Sequence, residues 1–149
     1  IVFQDALGNI LANMNQSNSV ELYFGGSKKF ETTNEGVEIN DTYDISSENT
    51  NTSATTQTTI DTFTATAFRS CRYTVQVTNN TDSTYHTTEL LLVHDGTTPG
   101  ITEFGAIFTG AAAEATFDAD ISSGNVRLRA TPASADSMTF KVVRHAITA

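Results

Sequence analysis

FDADISSGNVRLRAT, residues 117–131, reads as a β-hairpin with a single register. With Ser123-Gly124 as a two-residue turn, Ser122 faces Asn125, Ile121 faces Val126, Ala119 faces Leu128 and Phe117 faces Ala130. The opposite face then sets Asp120 against Arg127 and Asp118 against Arg129. Apolar meets apolar and acid meets base at every step, and each such cross-strand pair contributes roughly 0.2–1 kcal/mol. A slip of one residue would turn the charges toward the core, so the register is strongly specified.

The same period of two runs outward from this hairpin. Cys71, Tyr73, Val75 and Val77 alternate with Arg72, Thr74, Gln76 and Thr78, one set facing in and the other out. Leu90 to Val93 is an unbroken apolar run, expected of a central strand covered on both faces. Further strands are expected near Ile60–Ala67, Ile101–Thr109 and Met138–Arg144, so that about seven fall between residues 60 and 149. That density predicts an all-β chain whose C-terminal part, 60–149, is an antiparallel β-sandwich of jelly-roll-like type. The short alanine stretch after Gly110 is too brief for a helix.

Two zones precede the sandwich. Residues 1–40 hold VELYF, KFETT and VEI, separated by GGSK and NEG, which predicts a hairpin and a third short strand. A three-residue Gly-Gly-Ser loop would pair Leu22 with Phe30, and a four-residue loop would pair Tyr23 with Phe30. The apolar set here, including Val20, Leu22, Phe24, Phe30, Val37 and Ile39, is too small for a core of its own. The C-terminal zone or other copies of the chain must cover it, so a short-strand stem in an oligomer is expected. Residues 41–59, rich in Thr, Ser and Asn, are expected to form a linker or an extended segment along a neighbour.

Composition narrows the function classes. The 149 residues are 38% hydrophobic, and Thr, Ser and Asn make up about a third of the chain. Thr suits a pleated, half-exposed strand. A net charge of −9 and a pI near 4.5, without a basic stripe, argue against nucleic acid and anionic membrane as partners. No stretch has the length of a membrane-spanning helix. The single Cys71 excludes an intrachain disulfide and a cysteine-based zinc site. Opening on Ile1, with no Met and no signal-peptide pattern, the chain reads as a piece of a longer polypeptide.

Few residues point to chemistry. Asp118 and Asp120 share a strand face and could bind calcium or share acid–base work, but Arg127 and Arg129 opposite them give a structural reading. His94-Asp95 with Glu89 is the one cluster of metal-ligating residue types, and its simpler reading is a polar strand end. No Gly-x-Ser-x-Gly, Walker loop or dinucleotide fingerprint occurs. Asn15, Asn40, Asn51 and Asn79 open glycosylation sequons, which chance explains in so Asn- and Thr-rich a chain. Tyr23, Phe24, Tyr43, Tyr73 and Tyr85 could contribute to a sugar-stacking platform. Tyr73 has core parity, Tyr85 is the better candidate, and Trp is absent. No catalytic residue, metal ligand or cofactor is therefore expected, and no binding residue is assigned.

The stretch VELYFGGSKKFETTNEGVEI, Val20 to Ile39, resembles a segment recurrent in fibre-like virion proteins of tailed phages, especially phages of marine cyanobacteria. FRSCRYTVQVT, TTELLLVHDGTT, ATFDADISSGNVRLRATP and TFKVVRHAI, within Phe68 to Ile147, resemble a C-terminal domain of such proteins. The resemblance implies a virion structural protein, a tail fibre or appendage component on the outside of the particle, without catalysis. It further implies a homotrimer, contacts with other virion proteins, and contact with host-surface glycan or protein. A capsid or tail decoration or adaptor protein and a carbohydrate-binding module are the alternatives. An enzyme is the weakest class, since a glycan depolymerase needs paired acids in a groove.

Overall fold

The structure, a computed structural model, describes residues 1–14 and 19–149. Thirteen strands are formed among them: β1 (Val2–Gln4), β2 (Ile10–Met14), β3 (Val20–Phe24), β4 (Ser27–Thr32), β5 (Gly36–Ile39), β6 (Tyr43–Thr52), β7 (Thr58–Thr64), β8 (Phe68–Asn79), β9 (Thr84–His94), β10 (Pro99–Phe108), β11 (Ala115–Ser122), β12 (Asn125–Pro132) and β13 (Met138–Thr148). The described residues contain no helix. All pairing is antiparallel, in a ten-stranded sheet ordered β1-β2-β3-β4-β5-β6-β13-β8-β9-β10 and a three-stranded sheet ordered β11-β12-β7. The result is the expected all-β sandwich in open form, because three strands cover only part of the larger sheet.

The β11–β12 hairpin has the expected register at every pair, from Ser122 opposite Asn125 to Phe117 opposite Ala130. Ser123 and Gly124 both have positive φ, 51° and 80°, which matches the right-handed twist of the flanking strands. The charge pairing departs from expectation in one respect. Arg127 Nε donates to Asp120 at 2.6 Å, and Arg129 Nη1 reaches the same carboxylate at 3.0 Å. Asp118 instead accepts from the Ala119 N–H. Diagonal cross-strand neighbours lie within reach of long side chains, so two arginines converge on one acid.

The core fills the space between this small sheet and β8, β9 and β13. Tyr73, Val75 and Val77 from β8, Leu90 and Leu92 from β9, and Phe140 and Val142 from β13 meet Ile60, Phe63, Val126 and Leu128. Each is almost fully buried, and each large apolar side chain contributes roughly 1.5–3 kcal/mol. Leu90 to Val93 is not covered on both faces as expected. Leu90 and Leu92 are buried, whereas Leu91 is 47% and Val93 56% exposed. Only one face of β9 has a second layer, so a run of like residues takes up ordinary strand alternation.

Of the two readings of residues 41–59, a linker or an extended segment along a neighbour, the second is formed over Tyr43–Thr52. β6 pairs along its full length with β13, from Tyr43 opposite Ile147 to Thr52 opposite Met138. Its Ser-, Thr- and Asn-rich half buries little apolar surface, and the backbone ladder orders it instead. On its other side β6 pairs with β5, which joins the N-terminal strands to the sandwich sheet. Of the two registers left open for the first hairpin, Leu22 opposite Phe30 is the one formed. It arises from a two-residue Gly25-Gly26 turn, both at positive φ, with a register shift that leaves Lys29 unpaired.

One buried charge ties these layers together. Arg144, 1% exposed, projects from β13 into the core. Its Nη1 donates to both Asp61 oxygens, at 3.1 and 2.9 Å, and its Nη2 to Glu35 in the β4–β5 turn. Asp44 Oδ1 on β6 lies 3.7 Å from Nη2, and the Phe63 and Phe68 rings stack against the guanidinium at 5.0 and 5.3 Å. Tyr73 donates its hydroxyl to Asp61 at 2.9 Å. Burial pushes the Asp61 carboxyl above its usual range, against the pull of Arg144 and Tyr73. Asp44 is raised by burial as well.

Candidate functional site

Among the described residues the ten-stranded sheet has no second layer on its outer face, and the register fixes what that face displays. One residue from each strand aligns in the row Phe3, Ala12, Leu22, Phe30, Ile39, Tyr43, Ile147, Ser70, Val93 and Gly100. A second row, two residues along, carries Thr32, Val37, Ile45, His145, Arg72, Leu91 and Thr102. Neither row contains an Asp or Glu. Phe3, Leu22, Ile39, Ile147, Leu91 and Val93 are all exposed.

Where the rows cross β6, β13, β8, β9 and β10 they shape a groove of about 670 Å³. Its walls are Leu91, Val93, Ile101 and Ile147, with Tyr43, His145 and Arg72 among its polar lining. The Tyr43 hydroxyl and His145 Nδ1 lie 2.6 Å apart. Arg72 is held by the Glu89 carboxylate beside it. Cys71 also borders the groove, but its thiol is buried and burial pushes it up to about 11, so it stays protonated and unreactive. The groove can bind apolar surface, and its polar contacts are the Tyr43–His145 and Arg72–Glu89 pairs.

No protein-family model matches the sequence, and no curated protein does. Solved structures similar to the chain include two phage tailspikes. The tailspike protein of Acinetobacter phage vB_ApiP_P1 has a TM-score of 0.44 and 18% identity, over 67% of this chain and 20% of that one. The tailspike protein of Acinetobacter baumannii phage AM24 has a TM-score of 0.41 and 8% identity, over 70% of this chain and 26% of that one. The chain thus spans a quarter or less of the first and about a quarter of the second, and at these scores the likenesses carry no functional weight.

The residues singled out from sequence are not brought together. His94 and Glu89 lie on opposite faces of β9, because their separation is odd. His94 is buried, with Nε2 2.8 Å from the Phe68 carbonyl and Nδ1 accepting from the Gly96 N–H. Asp95 Oδ1 accepts from the Thr97 and Thr98 N–H groups and the Thr97 hydroxyl, which holds its carboxyl down at about 2. These contacts fold the β9–β10 loop onto itself. Arg127 holds the Asp120 carboxyl below the usual range. Tyr73 is core, as its parity indicated, and Tyr85 is half exposed at the far end of β9. The Asn79 side chain is buried and bonded to Glu114 and Asp136, so that sequon is closed to modification. The Asn15 sequon lies outside the described residues.

Sequence reasoning missed two clusters. On the reverse of the N-terminal strands Glu21, Glu31, Glu38 and Asp44 stand directly opposite one another on successive strands. Oxygens of Glu31, Glu38 and Asp41 approach within 4.8 Å, and Lys28 enters this group at 2.7 Å from Glu31 and 3.2 Å from Asp41. Lys28 supplies the counter-charge there, and burial together with Glu31 raises the Glu38 carboxyl. The alternating acids of VELYF, KFETT and VEI were the available signal, legible only once the register was known.

The second cluster surrounds His86. It is 1% exposed on β9, and neither ring nitrogen has a hydrogen-bond partner among the described residues. Phe108 stands edge-on to the ring at 6.0 Å and Phe117 lies at 5.9 Å. The facing acids are Glu103, 4.0 Å from Nε2, and Glu114. Burial lowers the imidazole below its usual value despite both acids. The unfolded chain therefore takes up this proton first, and native stability falls as pH drops below about 6.5. His86→Leu is expected to remove that component of the pH slope and to add about 1 kcal/mol at neutral pH, since no unpaired polar group is then buried. Calorimetry between pH 5 and 8 measures both, and an unchanged slope in the variant would contradict the assignment.

Proposed function

We propose that the chain is a non-catalytic structural component of a tailed-phage virion, a tail fibre or related appendage on the outside of the particle. It works as one copy among several, as a homotrimer, and presents its sandwich to host-surface glycan or protein. The observation that carries the assembly role is the acid-free apolar stripe across all ten strands of a chain whose net charge is −9. Contiguous apolar surface of that extent marks an interaction face. The phage setting rests on the resemblance of Val20–Ile39 and Phe68–Ile147 to fibre-like virion proteins. The non-catalytic reading is supported by the acids themselves. Asp120 is committed to two arginines, Asp95 to its own loop and Asp61 to Arg144.

Purified particles provide the test. Peptides of this chain are expected in the particle fraction, and an antibody against the sandwich is expected to label the tail. Labelling of the shell would replace the appendage with a decoration protein. A chain absent from particles, or one that cleaves host polysaccharide when purified, would overturn the proposal.

A further inference from the structure

We infer that the outer face of the ten-stranded sheet, including Tyr43, Leu91, Val93 and Ile147, is the surface through which copies of this chain meet. The inference rests on the multi-chain reading above and names the face that makes it possible. Its chemistry selects the occupant. The chain holds 17 acidic residues against 8 basic ones, so two copies repel wherever acids face each other. The two rows of this face hold none, and their one guanidinium, Arg72, is already paired with Glu89 in the next row. A basic partner would find no carboxylate in the rows, and an anionic glycan would find no free cation. The same acid-free stripe on other copies, turned toward a shared threefold axis, is the surface that loses nothing on contact.

The dimensions agree. Ten strands spaced about 4.8 Å apart make the first row about 48 Å long, the second row crosses seven strands over about 34 Å, and each occupies about 7 Å along the strands. Contact over both rows would cover roughly 570 Å² per copy, or about 1,100 Å² for a pair of faces, just above the roughly 1,000 Å² that a specific interface needs. The opposite side of the molecule offers no equivalent. The N-terminal strands expose an acid ladder there, and the sandwich strands are covered by β7, β11 and β12.

Sedimentation at about 0.15 M salt, where surface charge is screened beyond roughly 8 Å, tests the inference. The native chain is expected to be oligomeric. The double variant Leu91→Glu, Val93→Glu is expected to sediment as a monomer with an unchanged circular dichroism spectrum, its dissociation constant raised at least 100-fold. Both positions are exposed in the single chain, so folding tolerates the change. Thr116→Glu, on the outer surface of the small sheet, is expected to leave the oligomer intact. An oligomer that survives the double variant would place the contact elsewhere and leave the virion reading standing. A native chain that is monomeric at every concentration would overturn the inference outright. Dissociation of the double variant, with the chain absent from particles, would sustain the interface while removing the phage setting.

Discussion

Arg144→Met lowers the stability of the fold by about 3–5 kcal/mol, the cost of leaving buried charge without its partner. Methionine replaces the stem of the side chain but not its charge. Asp61, 5% exposed, then keeps only the Tyr73 hydroxyl, and Asp44, 2% exposed, loses its nearest cation. Glu35 loses its tie to β13, so the β4–β5 turn is released from the sandwich. Both buried carboxyls are already raised by burial, and losing the arginine raises them further. A carboxyl raised in the folded state favours folding below its unfolded pKa and costs stability as pH climbs through its folded one. The loss in Arg144→Met therefore shrinks toward pH 4 and grows toward pH 8. Adding Asp61→Leu removes the orphaned charge and restores part of the stability, since apolar replacement of a buried pair is often neutral. Urea unfolding of the single and double variants across that pH range reads all of this. An equal loss in both, independent of pH, would show that packing and not charge sets the cost.

Gly36→Ala is the second large effect, and it acts at the junction between the N-terminal strands and the sandwich. Gly36 faces Ser46 across the β5–β6 pair. A methyl group there would lie 1.9 Å from the Ile45 carbonyl oxygen and 2.9 Å from Ser46 Cα. Both are backbone atoms, so β5 must move away from β6. The cause is close approach of two backbones, which is what a glycine inside a strand often marks. Strain of this kind costs about 1–3 kcal/mol, and the upper end is expected because Glu35, the next residue, also anchors Arg144. Gly100→Ala is the control, because its added methyl meets only ordinary contacts at 3.8 and 4.0 Å. Hydrogen exchange is expected to show loss of protection in β3, β4 and β5 of Gly36→Ala while β8, β9 and β13 keep theirs. Uniform protection across the chain would mean that β5 is not the hinge point.

The parts of the fold that could be read from sequence share one property, which is that both faces of a strand pair carried information. In residues 117–131 apolar pairs on one face and charge pairs on the other leave one register. In the first hairpin the two lysines and two glycines fit two registers, and a bulge at Lys29 decides between them. Residues 41–59 left a linker and an extended segment both open, because β6 is ordered by a strand nearly a hundred residues away and its own side chains contribute little. Leu90 to Val93 misled because four apolar residues in a row look the same with one covered face or two.

Arg144 and Asp61 were visible in principle. Arg144 shares the inward parity of Met138, Phe140, Val142 and Ala146, and Asp61 sits beside Ile60 within two residues of Phe63. A charge on core parity in each of two strands was the signal of a buried pair. The outer-face stripe needed the register of all ten strands, which no local pattern contains.

Cross-linking through that stripe tests the account most directly. Ile39→Cys places a thiol on the fifth of the ten strands, at the centre of the face, and the only native thiol, Cys71, is buried and protonated, so it does not compete. Under mild oxidation the variant is expected to form a covalent species of two chains, while Thr116→Cys remains single. An Ile39→Cys chain that stays monomeric, or that joins only to a different protein of the particle, would contradict the claim that this sheet is completed by copies of itself.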